Sequence, residues 1–265
     1  MSLADRVRAA IADRGRLCVG IDPHAGLLRD WGLDDSAAGA RAFGLRVVEA
    51  VAGRAGIVKP QAAFFERHGA DGYAALADVI AAARADGLFV LADVKRGDIG
   101  STVDAYAEAW LTPGVPAEAD AMTAVAYQGV GSLRDAFARA DAADKGVFVL
   151  AATSNPESVP LQAALRADGR TVARATVDEV REAGHGVVVG ATAPLAELGL
   201  DAPALAGMPI LAPGFGAQGA RLADGPALFG AAAELVLAAA SRSILGAGPD
   251  GIAAAVAAHA EEARW

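Results

Sequence analysis

Two carboxylates stand on either side of a lysine in the segment Leu91–Thr102, LADVKRGDIGST. Asp93 and Lys95 are two residues apart, so on a β-strand they point to the same face, and Asp98 follows three residues later. Carboxylates beside a lysine stabilise its cationic form and fix its position. An ammonium group held in this way can stabilise a developing negative charge and then supply a proton, which an arginine does not readily release. The alternative is a purely structural network of ion pairs.

Lysine usage also points to two positions. The chain has 23 basic residues, of which only Lys59, Lys95 and Lys145 are lysines. A lysine can lose its proton or form a Schiff base, whereas an arginine stays charged. Lys59 and Lys95 stand at the ends of apolar segments, while Lys145 stands directly before one. We therefore expect Lys59 and Lys95 at a functional site and Lys145 on the surface.

Short apolar segments, rich in Val, Ile, Leu or Ala, alternate with helix-like stretches such as Gly72–Asp86 and Thr171–Ala183. Nearly continuous apolar character is typical of strands that are covered on both faces, as in parallel sheets. Eight such strands with helical spacers over about 250 residues predict an α/β fold of the (β/α)8 TIM barrel type, with an open doubly wound sheet as the alternative. The segments are Arg16–Asp22, Ala55–Pro60, Leu88–Lys95, Ala119–Ala126, Gly146–Thr153, Gly186–Thr192, Met208–Pro213 and Glu234–Ser241.

The N-terminal residues predict an extra helix outside this repeat. Ser2 is a suitable cap, Asp5 stands three residues further on, and Gly15 is a suitable end. An apolar stripe that includes Leu3 and Val7 predicts that this helix covers the bottom of the barrel. Because no linker or internal repeat divides the chain, we expect residues 1–265 to form a single barrel domain with a capping helix over 1–15.

Composition argues against several classes of protein. The net charge of −9 argues against a nucleic-acid-binding surface. The longest charge-free stretch, residues 202–220, contains three prolines, so no membrane-spanning helix is expected. The N-terminus lacks the pattern of a secretory signal, which favours a cytoplasmic protein. A single cysteine, Cys18, excludes an internal disulfide and a multi-cysteine metal site, and we expect no metal.

In a TIM barrel the loops at the carboxyl ends of the strands form the active site, so polar residues at these ends are the candidates. After the seventh segment, Gly214, Gly216 and Gly219 predict a loop that binds phosphate through backbone N–H groups. The spacing also matches the GxGxxG of dinucleotide-binding folds, but it does not follow the first strand, and Gly225-Pro226 interrupts the next helix. The polar candidates are Asp22, Lys59, Asp93, Lys95, Asp98, Ser154, Gln218 and Arg242.

The segment Leu91–Thr102 closely resembles the Asp-x-Lys-x-x-Asp signature of the orotidine 5′-phosphate decarboxylase family, and details such as VKPQ and TSNP look most like its longer bacterial branch. The resemblance covers essentially the whole chain. It implies a homodimeric TIM barrel that converts orotidine 5′-phosphate to UMP, the last step of de novo pyrimidine nucleotide synthesis, without a cofactor. The further motifs are GIDPH at 20–24, VKPQAAFFE at 58–66, ATSNPES at 152–158, GVVVGAT at 186–192, PGFGAQG at 213–219 and SRSIL at 241–245.

The resemblance also implies a role for each candidate. Lys95 would protonate C6 of the pyrimidine, and Asp93 would lie beside the departing carboxylate. Lys59 would orient the charged groups and, with Asp22, contact the ribose hydroxyls. The other implied contacts are the partner subunit's site for Asp98, Ile99 and Thr102, the pyrimidine edge for Ser154, and the phosphate for Gln218 and Arg242. Residues 123–131 fit the family only loosely and receive no role.

Three other functions stay open at this point. An aldolase or sugar-phosphate lyase on the same barrel would use Lys59 or Lys95 to form a Schiff base. A metal-dependent relative would use strand-end carboxylates such as Asp22 and Asp93, although Lys59 occupies the end of the second strand. A non-catalytic barrel that binds UMP-like nucleotides is the third, and the intact Asp93, Lys95 and Asp98 set argues against it.

Overall fold

A closed ring of eight parallel strands forms the centre of the computed structural model, which describes residues 1–265. Each strand pairs with the next one along the chain, and β8 pairs with β1. The predicted (β/α)8 barrel is therefore confirmed, and the open doubly wound sheet is excluded. The strands are β1 Leu17–Ile21, β2 Ile57–Pro60, β3 Phe89–Arg96, β4 Ala121–Ala124, β5 Gly146–Ala152, β6 Gly186–Val189, β7 Ile210–Pro213 and β8 Val236–Ala240.

Helices surround the barrel and bury the outward-facing side chains of the strands, so the main apolar core lies between the sheet and the helices. No helix in the structure combines the length and the apolar character needed to cross a bilayer. The α-helices are α1 Leu3–Arg14, α2 Ala25–Asp30, α3 Ala37–Val51, α4 Ala63–Glu66, α5 Gly69–Ala85, α6 Gly100–Leu111, α7 Arg134–Ala142, α8 Val159–Gln162, α9 Val172–Glu182, α10 Ala202–Leu205, α11 Gly225–Phe229, α12 Arg242–Leu245 and α13 Gly248–Glu262. Four 3₁₀ helices cover Val130–Leu133, Pro156–Ser158, Leu222–Asp224 and Gly230–Leu235.

The N-terminal helix closes the lower end of the barrel, as its apolar stripe predicts. The Ser2 hydroxyl accepts a hydrogen bond from the Asp5 N–H at 3.2 Å, and Gly15 ends the helix with a φ of 79°. Leu3 and Val7 are buried in a second apolar cluster, inside the barrel. Gly146 lies so close to Leu3 that a Cβ atom there would come within 2.3 Å of it, so the seal depends on a glycine at the start of β5.

Strand periodicity explains why the inner apolar cluster is followed by charged groups at the upper end of the barrel. Inward-facing positions near the starts of the strands carry Cys18, Ile57 and Leu91, which belong to the inner apolar cluster. Because side chains on a strand alternate between faces, the same inward register continues to Asp22, Lys59, Asp93, Thr123 and Ser241 at the strand ends. The barrel interior is therefore apolar below and polar above.

The expectation that Lys145 lies on the surface is wrong. Its side chain is buried at the lower end of the barrel, where its Nζ donates to Glu118 Oε1 at 2.9 Å. Burial lowers the pKa of Lys145, and the Glu118 carboxylate opposes this shift. Glu118 lies 27 residues away in the chain, so no local pattern marks the pair.

Candidate active site

A cleft of about 200 Å³ opens at the carboxyl ends of the strands, on the face opposite α1. Its lining comes from β1, β2 and β3 on one side and from the loops after β7 and β8 on the other. The two sides have different chemistry, because one carries paired charges and the other carries glycines and unpaired polar groups. The polar side chains that line it are Asp22, Lys59, Gln61, Asp93, Gln218, Ser241 and Arg242.

The carboxylate of Asp93 is the centre of the charged side. One oxygen accepts a hydrogen bond from Lys59 Nζ at 2.8 Å, and the other accepts from Lys95 Nζ at 2.5 Å. The Thr123 hydroxyl donates to this second oxygen at 2.9 Å. The predicted candidates Lys59, Asp93 and Lys95 are thus brought into contact, although Lys59 lies 34 residues before Asp93.

Burial and charge together set the protonation states of this cluster. Burial alone would raise the pKa of the Asp93 carboxyl, but the ammonium groups of Lys59 and Lys95 outweigh it and hold the pKa far below its usual range. Burial alone would likewise lower the pKa of Lys59, but Asp93 and Asp22 more than compensate and raise it. Lys59 and Asp93 are therefore both charged at neutral pH. The Lys95 side chain lies at the rim and is 43% exposed.

The backbone of Lys95 departs from regular strand geometry. Its φ is +46°, in the left-handed region that residues with a Cβ rarely adopt. The pairing of β3 with β4 is irregular between Ala92 and Arg96, which marks a local bulge. Simple alternation along a regular strand, the basis for expecting Asp93 and Lys95 on one face, therefore does not describe the backbone at Lys95. The two side chains meet, but a distorted backbone directs the lysine.

Asp22 and Ser241 meet on the cleft floor, where β1 adjoins β8. The Ser241 hydroxyl donates to Asp22 Oδ2. Asp22 Oδ1 is buried and has no hydrogen-bond partner within the protein. Buried polar atoms are nearly always paired, so this oxygen is an acceptor available to a hydroxyl group of a bound molecule.

The loop after β7 forms the other end of the cleft. Gly216 has a φ of 75°, and a Cβ atom there would come within 2.3 Å of Ser243 Oγ, so only glycine fits. Gln218 and Arg242 line the cleft, and neither side chain has a hydrogen-bond or ion-pair partner in the protein. The helix that follows this loop is only Gly225–Phe229, which is not the long helix of a dinucleotide fold. An unpaired arginine beside a glycine loop suits an anionic ligand.

Five predicted site residues are not among those that line this cleft, and one of them, Lys95, lies at its rim in contact with Asp93. Asp98, Ile99 and Thr102 lie between β3 and the first turn of α6, and Ser154 follows β5 with its side chain exposed. Asp98 Oδ1 accepts from the Ile99 N–H at 2.8 Å and makes no ion pair with Lys95. The prediction that two carboxylates of one chain flank Lys95 is therefore not met within the chain, because only Asp93 contacts it.

Sequence reasoning gave no role to Gln61, Thr123 or Ser241, although Ser241 stands among the polar residues at the end of the eighth apolar segment. In the amide orientation that satisfies both neighbours, the Gln61 nitrogen donates to Asp93 and its oxygen accepts from Lys95 Nζ at 3.3 Å. The position of Gln61 two residues after Lys59 was the available signal, because that spacing returns to the inward register. Thr123 carried no comparable signal, since threonine is common in strands.

The comparisons with known proteins agree on one family. The sequence model of the orotidine 5′-phosphate decarboxylase / HUMPS family matches residues 15–258. The orotidine 5′-phosphate decarboxylase of Salinispora arenicola is 52% identical over 94% of this chain and 91% of its own, and that of Streptomyces coelicolor is 49% identical over 92% and 90%.

Solved structures agree as well. A candidate orotidine 5′-phosphate decarboxylase from Streptomyces avermitilis superposes with a TM-score of 0.93 at 46% identity, over 100% of this chain and 96% of its own. The OMP decarboxylase of Leishmania donovani gives 0.74 at 35% identity, over 99% and 95%. The fold, the charged cluster and these relatives lead to one conclusion: the chain belongs to the orotidine 5′-phosphate decarboxylase family.

Proposed function

We propose that this enzyme removes CO₂ from orotidine 5′-phosphate to give UMP, with Lys95 as the proton donor and no cofactor. The observation that carries the proposal is the Asp93 carboxylate, which binds two ammonium groups at 2.8 and 2.5 Å beside a cleft with an unpaired arginine. The family indicates the substrate, and the geometry of this cluster supports the roles proposed for Lys95, Asp93 and Lys59.

The chemistry requires a cation at the carbon that loses the carboxylate. When the C6–CO₂ bond breaks, its electron pair stays on C6, where no ring carbonyl can delocalise it well. The Lys95 ammonium stabilises that charge and then transfers a proton to C6, and the resulting amine regains a proton from solvent. The largest enzymatic rate enhancements correspond to a lowering of the activation barrier by roughly 20 kcal/mol or more. One lysine does not lower a barrier by that amount, so other interactions must contribute.

The two lysines have different roles. Lys59 is buried and its pKa is raised, so it remains a fixed cation that holds Asp93 and contacts the ribose together with the free Asp22 oxygen. Lys95 lies at the rim, where its proton can be exchanged with solvent between turnovers. A Schiff-base lyase needs a neutral amine, and the permanently charged Lys59 does not suit that reaction.

The phosphate lies far from the reacting carbon and supplies binding energy. Gln218 and Arg242 contact it, and the backbone of the loop after β7 surrounds it. Energy gained there orders the site around the pyrimidine, which Ser154 contacts at its edge. The side of the cleft formed by the loops after β7 and β8 therefore binds the nucleotide, and the side formed by β3 carries out the reaction.

Two copies of this barrel, each formed by residues 1–265, act as a homodimer in the cytoplasm. In this dimer Ile99, which is 60% exposed in the single chain, is covered by the other copy. The dimer brings Asp98, Ile99 and Thr102 to the site of the other copy, where Asp98 supplies the second carboxylate beside Lys95.

The fall in absorbance that follows loss of the pyrimidine carboxylate tests the function. The wild-type chain consumes orotidine 5′-phosphate, whereas Lys95→Ala keeps its fold and its affinity for UMP but loses turnover. No turnover by the wild-type chain refutes the assignment, and borohydride trapping of a sugar phosphate on Lys59 or Lys95 would replace it with a lyase.

Complementation tests the shared site. Lys95→Ala and Asp98→Ala chains are each inactive, but mixed dimers regain one intact site. After random reassortment of subunits this amounts to about one quarter of the wild-type sites. An inactive mixture that contains dimers contradicts the shared site.

A further inference from the structure

A buried hydroxyl on β4 lies behind the charged cluster. Thr123 is 1% exposed and faces the barrel interior. Its Oγ1 accepts hydrogen bonds from the backbone N–H groups of Val94 at 3.0 Å and of Lys95 at 2.9 Å. The same hydroxyl donates to Asp93 Oδ1 at 2.9 Å. One oxygen atom therefore contacts three consecutive residues of β3.

These contacts coincide with the irregular part of β3. Where the register between β3 and β4 shifts, regular ladder bonds are lost, and the Thr123 hydroxyl accepts from the two N–H groups concerned. Left-handed backbone at a residue with a side chain persists only where its surroundings hold it. For Lys95, with its φ of +46°, the bond from its own N–H to Thr123 is such a constraint.

The direction of each hydrogen bond is determined. Asp93 is ionised and can only accept, so the single hydroxyl proton of Thr123 points to it. The lone pairs of Oγ1 are then free for the two backbone N–H groups. The carboxylate oxygen that receives this proton is the one that also binds Lys95 Nζ. Thr123 thus fixes both the backbone of the lysine and the anion that holds its ammonium group.

We propose that Thr123 is a positioning residue for the decarboxylation, whose hydroxyl sets the direction from which the Lys95 ammonium reaches C6. This inference rests on the proposed function. Thr123 itself does not touch the substrate, because Asp93 and the β3 backbone lie between it and the cleft. Its effect is therefore on the chemical step rather than on the affinity for the nucleotide.

Three variants test the role. Thr123→Val keeps the shape but removes the hydroxyl, Thr123→Ser keeps the hydroxyl, and Thr176→Val is a matched control on α9, where the hydroxyl contacts only the Val172 carbonyl. Displacing a reacting group by about 1 Å can cost on the order of 100-fold in rate. We expect a kcat loss of about that size in Thr123→Val, with KM and the Kd for UMP unchanged.

Hydrogen–deuterium exchange at C6 of UMP gives a second readout. This reaction uses only the transfer of a proton between C6 and Lys95, and NMR in D₂O follows it without decarboxylation. Exchange slows in Thr123→Val to the same extent as kcat, whereas Thr123→Ser and Thr176→Val stay close to wild type. A purely structural role would lower thermal stability without this selective loss of proton transfer.

The outcomes that overturn the proposal are distinct. Wild-type kcat in Thr123→Val refutes it, and so does a serine variant as slow as the valine variant or a loss of UMP affinity equal to the loss of kcat. If the valine variant does not fold, Thr123→Ala removes the hydroxyl without adding a methyl group and is judged by the same criteria. An inactive wild-type chain refutes the proposed function instead.

Discussion

Replacement of Asp93 by asparagine removes the anion that lies between two cations. Lys59 is only 10% exposed and its Nζ lies 2.8 Å from Asp93, so the variant leaves an ammonium group buried without this partner. At an effective dielectric constant of 20, two unit charges at that distance attract by roughly 6 kcal/mol before desolvation is counted. Breaking a buried pair by removing one member costs about 3–5 kcal/mol, which is the expected loss in the free energy of unfolding.

An exposed pair provides the matched control. Arg41 Nε lies 2.5 Å from Asp78, and both side chains are about half exposed, at 50% and 52%. Asp78→Asn makes the same chemical change at a similar distance, but solvent screens the charges, so we expect at most about 1 kcal/mol. Urea unfolding followed by tryptophan fluorescence, at neutral pH and fixed protein concentration, measures both.

A double variant and the pH dependence of stability provide two further tests of the Lys59–Asp93 pair. Lys59→Met in the Asp93→Asn background removes the unpaired cation, so part of the lost stability returns. Because the pKa of Asp93 is lower in the folded than in the unfolded chain, its contribution is present above about pH 4 and is lost as the pH falls through the folded-state value. Equal losses in Asp93→Asn and Asp78→Asn would refute the argument that burial determines the strength of this pair.

Three further predictions concern other groups. Arg242→Ala raises KM for orotidine 5′-phosphate by roughly 10- to 100-fold, which corresponds to the loss of one charge-assisted hydrogen bond. The KM for the phosphate-free nucleoside stays unchanged, and an equal rise for both substrates would contradict the prediction. Burial lowers the pKa of His185, so below about pH 6.5 the unfolded chain binds a proton that the folded chain does not. The free energy of unfolding therefore falls by up to about 1.4 kcal/mol for each unit by which the pH is lowered. His185→Leu removes this part of the slope below about pH 6.5 in urea unfolding, and identical slopes would argue against it. Burial raises the pKa of Cys18 to about 12, so iodoacetamide at mildly alkaline pH modifies the thiol only after unfolding, and rapid labelling of the native protein would contradict this.

The strands could be predicted because a parallel barrel buries both faces of its sheet. Seven of the eight strands lie inside the predicted apolar segments, and β3 extends one residue further, to Arg96. The N-terminal helix was also predictable, because Ser2 and Gly15 provide local start and stop signals. Strand ends then identified Lys59, Asp93 and Lys95, since neighbouring strands place their ends at one rim.

Long-range contacts explain what the sequence did not reveal. Thr123 acts on residues 28 to 30 positions earlier, and nothing in its local sequence marks it. The left-handed backbone of Lys95 coincides with that contact and is not the conformation that lysine prefers. Lys145 is buried because Glu118 meets it across the base of the barrel. Spacing placed Asp98 near Lys95, but the backbone after Arg96 carries it away from the cleft.

The change of character along the barrel axis has a practical consequence for protein engineering. Ile57 and Leu91 in the apolar lower half are the inward-facing residues directly below Lys59 and Asp93, whereas Leu237 lies one inward-facing position further from the charged rim, below Ala239. A library that leaves Ile57 and Leu91 unchanged and varies more distant positions such as Leu237 can be selected for heat resistance without altering the residues next to the charged groups. Substrate scope can be altered independently at the rim, so the two traits can be optimised in parallel and combined afterwards.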